Sequence, residues 1–546
     1  MNTFKKKSLH VAVLAGLGAL GAAGTANAVN INPEGLGQVH IFPYYTVRNG
    51  NVTAMSIVNS NNETKIVKVR FLEGKNSREV LDFNLWLSPN DVWTGVVIPT
   101  AAGARLETGD NSCVTPSDLF GNATGVIRSD GLGLAINDFK NYQYTGALVD
   151  NPTLGTLDRT REGYMEVIEM GVVIDPVLTG FVKHSAAGVP ANCAALDAYD
   201  ALSTAAAPAV KLPGTLVGAT RSTQYLAPPS GGLFGRASII NSANGTNYAF
   251  GTTALDAWFN PPIPILPPYS ASGNVNPSLS NAPGIDTTSL VFVSDQPAGQ
   301  GFPASPPGVV RATWASSVQA VTSVFLRSDL LNEFLTDAAT VSRTDWVITM
   351  PTKRDLIGVG TGSPSRPFSN NFSSGPATGA CDAYLLAIYD REERTTTNAP
   401  GVILPSPRPP AASAPGQNLC WEANVVEFGT QGLLGSTNNF RLQGAADAFA
   451  TTGATTTGAA FATLSRRVLQ GPNGWAIMNF GNTGLAAQAA QSITPINSSL
   501  NGVADAVPRT FFGLPIVGIS FHNYTNAGVA SAYGGVIPHK YIRFVR

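Results

Sequence analysis

The sequence predicts a mainly β fold: an antiparallel β-sandwich, Ig-like or jelly-roll-like, in one domain or several, with long Pro/Gly/Ser-rich loops and few short helices. Three observations point there. Apolar and polar residues alternate with period two in many short runs. Turn residues (Asn, Gly, Ser, Pro) separate those runs. Patterns of helical period are few and short.

The elements follow in order. Thr53 to Asn59 and Ile66 to Leu72 flank the polar turn "SNNE". In the second run Val67, Val69 and Phe71 share a face and Lys68 and Arg70 point the other way. "EVLDFNLWL" repeats the pattern, with Leu81, Phe83, Leu85 and Leu87 on the core face and Asp82, Asn84 and Trp86 opposite. The loop "EGKNSR" between them holds Glu73, Lys75 and Arg78, so this charge cluster reads as the exposed face and turn of a β-meander, with Arg70 and Asp82 able to pair across strands. Further strands are expected at Gly163 to Ile174, Ser289 to Asp295, Ser323 to Asp329, Asp345 to Met350, Ala383 to Asp390, Glu422 to Gly429, Gly474 to Gly481 and Pro515 to Tyr524. Gly235 to Gly251 reads as a hairpin turning at Asn244-Gly245. Helical patterns are limited to "NCAALDAYDAL", "TALDAWF" and "DLLNEFL".

The start of the chain resembles a secretory signal peptide. Lys5, Lys6 and Lys7 precede a Gly/Ala-rich apolar stretch, and Ala26-Asn27-Ala28 offers a cleavage site after Ala28. A GxGxxG match at Gly16 to Gly21 falls inside that leader, without a βαβ unit, and is discounted as a nucleotide site. The expected organisation is a signal peptide at 1–28, an N-terminal β domain at 29–260, a Pro-rich linker and loop region at 261–310, and a C-terminal β domain at 311–546. The expected location is exported: cell surface, extracellular or periplasmic, with no transmembrane helix after cleavage.

Only 13% of residues are charged, against about 25% in ordinary soluble domains. Three lysines leave with the leader, so 31 basic residues face 35 acidic ones. This balance predicts no nucleic-acid partner. The partner is unknown, with self-association or cell-surface components as candidates. Cys113, Cys193, Cys381 and Cys420 all lie beyond the leader. An even count in an exported chain reads as two disulfides, and the sequential pairing Cys113–Cys193 and Cys381–Cys420 is favoured among three connectivities.

Chemistry is sparsely signalled. The sequence shows no HExxH, no GxSxG elbow and no Walker A pattern, and "GISFH" departs from the elbow at Phe521 and His522. No catalytic, cofactor-binding or metal residue is assigned, although Asp130 and Asp138 make Ca2+ a candidate. Glu162 and Glu166 share a strand face some 13 Å apart at about 3.3 Å per residue, beyond the roughly 5–9.5 Å that glycosidases use. The weak surface-site candidates are Glu166 and Glu169, read as solvent-facing charges on an edge strand, and Trp86 and Trp93. Packing in a covered layer is weighed against a sugar-stacking platform for the two tryptophans.

The blocks "VKVRFLEGKNSREVLDFNLWLSPNDVW", "REGYMEVIEMG", "TDWVITMPTKRD" and "GLPIVGISFHNYTN…YGGVIPHKYIR" together resemble a group of uncharacterised secreted or cell-surface proteins of Proteobacteria. The resemblance implies export and a β-rich surface protein, and carries no activity. The functional expectation is an exported, non-enzymatic β-protein with a structural, adhesive or assembly role. The alternatives are a secreted carbohydrate-active or other hydrolytic enzyme and an outer-membrane β-barrel.

Overall fold

A computed structural model describes residues 28–119, 135–151, 153–200, 225–260, 267–294, 307–358, 364–372, 380–392, 417–429, 432–444, 468–469, 472–481, 491–526 and 531–546. The leader's residues 1–27, Asp130 and most of the two low-complexity stretches at 399–417 and 444–462 lie outside them. Strand accounts for 49% of the structure and helix for 11%, and the sheets are open and not closed into barrels. The mainly β, antiparallel sandwich expectation therefore holds.

Two large sheets build the first sandwich. One runs in the order Asn30–Ile31, Thr253–Asp256, Val39–Thr46, Glu162–Val173, Thr64–Glu73, Glu79–Leu87 and Cys113–Thr115. The other runs Thr246–Gly251, Leu233–Asn241, Val52–Asn59, Val92–Pro99, Ala104–Thr108 and Ala135–Asp138. Val67, Val69, Phe71, Phe83 and Leu85 from the first meet Ile57, Trp93, Val97, Leu106 and Ile239 from the second in one core. The second sheet shows the alternation of a half-buried strand, with Thr53, Met55, Ile57 and Asn59 inward.

The first sheet does not. Every residue of Thr64–Glu73 and of Glu162–Val173 is buried. Its far face carries Ile66, Trp86 and Met170 and is covered by the helix Pro176–Val182 and the residues around Leu196–Asp200. The sheet is thus a middle layer, and the faces expected to be wet are dry.

A second sandwich pairs the sheet Gln417–Leu419, Asp382–Asp390, Asn473–Asn479, Asp329–Leu335, Lys540–Ile542 with the sheet Val468–Leu469, Asn439–Gly444, Ala423–Phe428, Arg343–Thr349, Val517–Asn526, Ser531–Pro538. Phe334, Trp346, Tyr384, Ile388, Phe428 and Met478 lie between them. The outer side of the latter sheet, through Val347, Val425, Ile519 and Phe521, enters the core of the first sandwich. The 261–310 region contributes Thr288–Val293 as an edge strand on Gly308–Thr313, and Val29 N–H donates to the Thr288 carbonyl.

Three local readings are corrected. "DLLNEFL" is the strand Asp329–Leu335, and "TALDAWF" begins with the strand Thr253–Asp256. A short apolar run fits both periods, and pairing decides: Asp329–Leu335 has partners on both sides, Asn473–Asn479 and Lys540–Ile542. "SVFLRSD" instead ends the helix Ser317–Phe325 before the short strand Leu326–Arg327. The "NCAALDAYDAL" pattern appears as a 3-10 turn at Cys193–Ala195 and the helix Leu196–Asp200.

Both disulfides form with the sequential pairing, Cys113–Cys193 spanning 80 positions and Cys381–Cys420 spanning 39. Disulfides persist in oxidising compartments, which favours a location outside the cytoplasm. No helix among the described residues is long and apolar enough to cross a membrane. Replacing Cys113 and Cys193 together by serine should cost about 2–5 kcal/mol. Urea unfolding checks this, and an unchanged midpoint would show that the cover over Trp86 stays in place without the bridge.

Candidate functional site

The charged loop "EGKNSR" is the centre of the molecule's polar chemistry, and it is buried. Glu73 and Asn76 are fully covered, and Lys75, Ser77, Arg78 and Glu79 are nearly so. The loop is wedged between the two sandwiches. Ala423 N–H donates to the Gly74 carbonyl at 2.9 Å, Gly74 N–H to the Glu162 carbonyl at 3.0 Å, and Arg354 to the Ser77 carbonyl at 2.7 Å. Gly74 suits this seat because a Cβ there would lie 2.8 Å from Asn438 Nδ2.

The Glu73 carboxylate shapes the loop from inside. It accepts the N–H groups of Lys75, Asn76 and Arg78. Arg159 then grips it through Nε and Nη2, at 2.6 and 2.8 Å, and grips Asp150 through Nη1 and Nη2, both at 2.7 Å. One guanidinium is forked by two carboxylates, the strongest geometry this ion has. Tyr144 lies over it, with its ring centroid 4.4 Å from Cζ.

Beside this triad, Glu162 collects Tyr44 and Arg48 from the first sandwich and Ser436 and Thr437 from the second. Burial acts to raise its carboxyl, but Arg48 and Lys75, with the Ser436 and Thr437 hydroxyls, outweigh it and hold the group below the ordinary carboxylate range. Lys75 donates to Asn438 Oδ1 at 2.6 Å above the Trp421 ring. Burial lowers its ammonium to about 8.

Both faces of the middle sheet carry buried ion pairs, Lys65–Glu169 on the side of the second sheet and the others on the side covered by the helices. Lys65 meets Glu169 at 2.7 Å, Lys68 meets Asp82, and Arg70 meets Glu79 at 2.8 Å and Glu166 at 2.5 Å. Arg70 and Asp82 are register partners as expected, yet each takes its ion pair elsewhere. The solvent-facing reading of Glu166 and Glu169 is overturned: they are 2% and 0% exposed, and burial raises both carboxyls against the pull of Arg70 and Lys65. The surface placement of Trp86 and Trp93 is overturned too, and the packing reading applies. Trp86 packs edge-on to Tyr199 and donates to Thr115, and Trp93 lies against Phe83. The tryptophan that does reach solvent is Trp475, stacked on Tyr389 at 4.7 Å on the outer face of the second sandwich.

Glu79 and Glu166 share one guanidinium, so two buried carboxylates do come close. They are bridged by the cation and closed over by Leu279, whose N–H points at Glu166. Two concavities open at the surface, neither of them at the Glu79–Glu166 pair. One, of about 530 Å3, rests on the outer face of the second sheet between Ser56, Thr94, Glu107 and Arg236. The other, about 520 Å3, lies by Arg48, Asp158 and Arg161. No group of three or more metal-ligating side chains occurs among the described residues. Asp138 pairs with Arg105.

Arg159, Asp150, Lys353 and Glu422 received no role from the sequence. For Arg159 the signal is the density of charge in "LDRTREGYMEVIEMG" within a chain of low charge; Asp150, Lys353 and Glu422 lie outside that stretch. Compared with known proteins, the chain matches no family model, no curated protein and no solved structure.

Proposed function

We propose that this chain is an exported, non-enzymatic β-protein of the cell surface or periplasm, with a structural, adhesive or assembly role. One observation carries the reading. Many titratable residues sit in interior ion pairs; the loop and the Glu162 carboxylate that those pairs hold in place hydrogen-bond across to the second sandwich as an interior clamp, and the Glu73, Asp150 and Glu162 carboxylates are almost wholly covered. Two disulfides and a middle sheet covered on both faces suit a protein that must keep its shape outside the cell. The resemblance to secreted and cell-surface proteins of Proteobacteria points the same way.

The Glu79–Glu166 pair is the feature nearest to the hydrolytic alternative, and its bridging by Arg70 weighs against it. Open sheets weigh against the outer-membrane barrel.

Cell fractionation tests the proposal. The expected result is protein retained at the surface or shed as an assembly. A freely soluble periplasmic monomer would overturn the surface and assembly roles.

A further inference from the structure

Several buried cations among the described residues come with acids, whereas Lys75 relies on Asn438 and the Trp421 ring. Lys65 has Glu169, Lys68 has Asp82, Arg70 has Glu79 and Glu166, Arg159 has Glu73 and Asp150, and Lys353 has Asp382. Arg327 and Arg543 break this pattern. Arg327 is 5% exposed and directly follows the helix Ser317–Phe325 and Leu326. Arg543 follows the strand Lys540–Ile542. Both donate to one oxygen, the Val324 carbonyl, Arg327 through Nη1 at 3.1 Å and Arg543 through Nη2 at 2.8 Å. Their other hydrogen bonds go to the Leu326 and Phe292 carbonyls. Among the described residues no carboxylate lies within ion-pair distance of either, and Arg543 Nε is buried without a partner. The Tyr541 ring gathers the pair, its centroid 3.9 Å from the Arg327 Cζ and 5.0 Å from that of Arg543. Tyr541 is 45% exposed and Arg543 half-buried, so the cluster borders solvent on their side.

The surroundings compensate this charge incompletely. Carbonyls at a helix C-terminus carry roughly half a negative charge, and a cation over an aromatic face gains about 0.5–2 kcal/mol. Neither balances two guanidinium ions that share an acceptor, and arginine does not escape by losing its proton. What the cluster lacks is an anion.

We propose that Arg327, Arg543 and Tyr541 form a binding site for a single oxyanion group: a carboxylate, sulfate or phosphate. The planar guanidinium fork matches oxyanion geometry, and the exposed Tyr541 ring supplies a wall against which the bearer of the charge would lie. The site lies where the strand Lys540–Ile542 of the second sandwich meets the helix Ser317–Phe325 and the strand Thr288–Val293, apart from the interior clamp, and does not depend on where the protein resides.

The test uses the full mature chain, disulfides intact, titrated calorimetrically with sodium phosphate, sodium sulfate and sodium glucuronate against sodium chloride at matched ionic strength. Saturable one-to-one binding of at least one oxyanion is expected, weakened about tenfold or more in Arg543→Gln, since a charge-assisted hydrogen bond contributes about 1.5–3 kcal/mol. Binding of glucuronate alone would identify a sugar-borne carboxylate, and binding of phosphate or sulfate a free tetrahedral anion. Should Arg543→Gln fail to fold, the wild-type titration still decides. No saturable binding beyond chloride, or equal binding by wild type and variant, would overturn the site and leave the arginines as caps of the helix C-terminus.

Discussion

Arg159→Met should destabilise the protein by about 3–5 kcal/mol, the cost of removing one partner from a buried ion pair. The side chain is nearly the same volume as the one it replaces, so the loss comes from charge. Glu73 and Asp150 would both remain covered, each without the guanidinium that now binds it through two hydrogen bonds. Glu73 also holds three N–H groups of its loop, and that loop is what Ala423 and Arg354 bond to. Damage at Arg159 therefore passes to the contact between sandwiches. Urea unfolding followed by tryptophan fluorescence reads this out, because Trp421 lies under Lys75 at that contact. A triple replacement, Glu73→Gln, Asp150→Asn and Arg159→Met, should recover part of the loss, since neutral groups cost less to bury than orphaned charges. If Arg159→Met costs under about 1 kcal/mol, the range of an exposed pair, the clamp has been misread.

Part of this arrangement is legible in the pattern of residues along the strands. Strand positions and the register of Arg70 against Asp82 follow from period-two patterning, and the disulfides take the pairing favoured among three, but the expected meander does not form: Val52–Asn59 and Val92–Pro99 pair with each other in one sheet, and Thr64–Glu73 and Glu79–Leu87 pair in the other. Period two separates two faces, however, and does not say what covers each. The face of Lys68, Arg70 and Asp82 looks wet because charge is normally wet. Here Pro176–Val182, Leu196–Asp200 and the residues near Leu279 lie across it, brought from 100 to 200 positions away. Glu166 could not be matched to Arg70 from spacing, since 96 positions separate them. The Arg327–Arg543 pair was hidden for the same reason, its members meeting at Val324 from opposite ends of the C-terminal half. Long-range covering is the information that local patterning omits.

Glu422→Gln should remove a fall in stability that wild type shows as pH rises. Glu422 is fully buried directly before the strand Ala423–Phe428, and neither carboxylate oxygen finds a hydrogen-bond partner of ordinary geometry, although the Ser77 hydroxyl is near enough to ease its ionisation. Burial raises its carboxyl to about 8, against the opposing pull of Lys353. The unfolded chain releases that proton near 4.5. Between these two values the folded state holds a proton that the unfolded state does not, so stability falls as pH rises, by about 1.4 kcal/mol per unit. Asp329, raised by burial to about 6 from 3.8, acts in the same direction over its own narrower window. His40, His522 and His539 act in the opposite one. Burial lowers each to about 4 from 6.5, so their contribution is complete above 6.5 and drains as pH falls to 4. Below pH 6 the three histidines outweigh the two acids, and between 6.5 and 8 Glu422 is the one of these five still changing. Glutamine keeps the shape of the protonated acid and cannot ionise. Relative to wild type, the variant should gain about 2 kcal/mol between pH 6 and pH 8. Denaturant midpoints at those two pH values measure it directly. Parallel profiles would mean that Glu422 is already ionised at pH 6, paired with Lys353, and that the contact between the sandwiches contains one more ion pair than its geometry indicates.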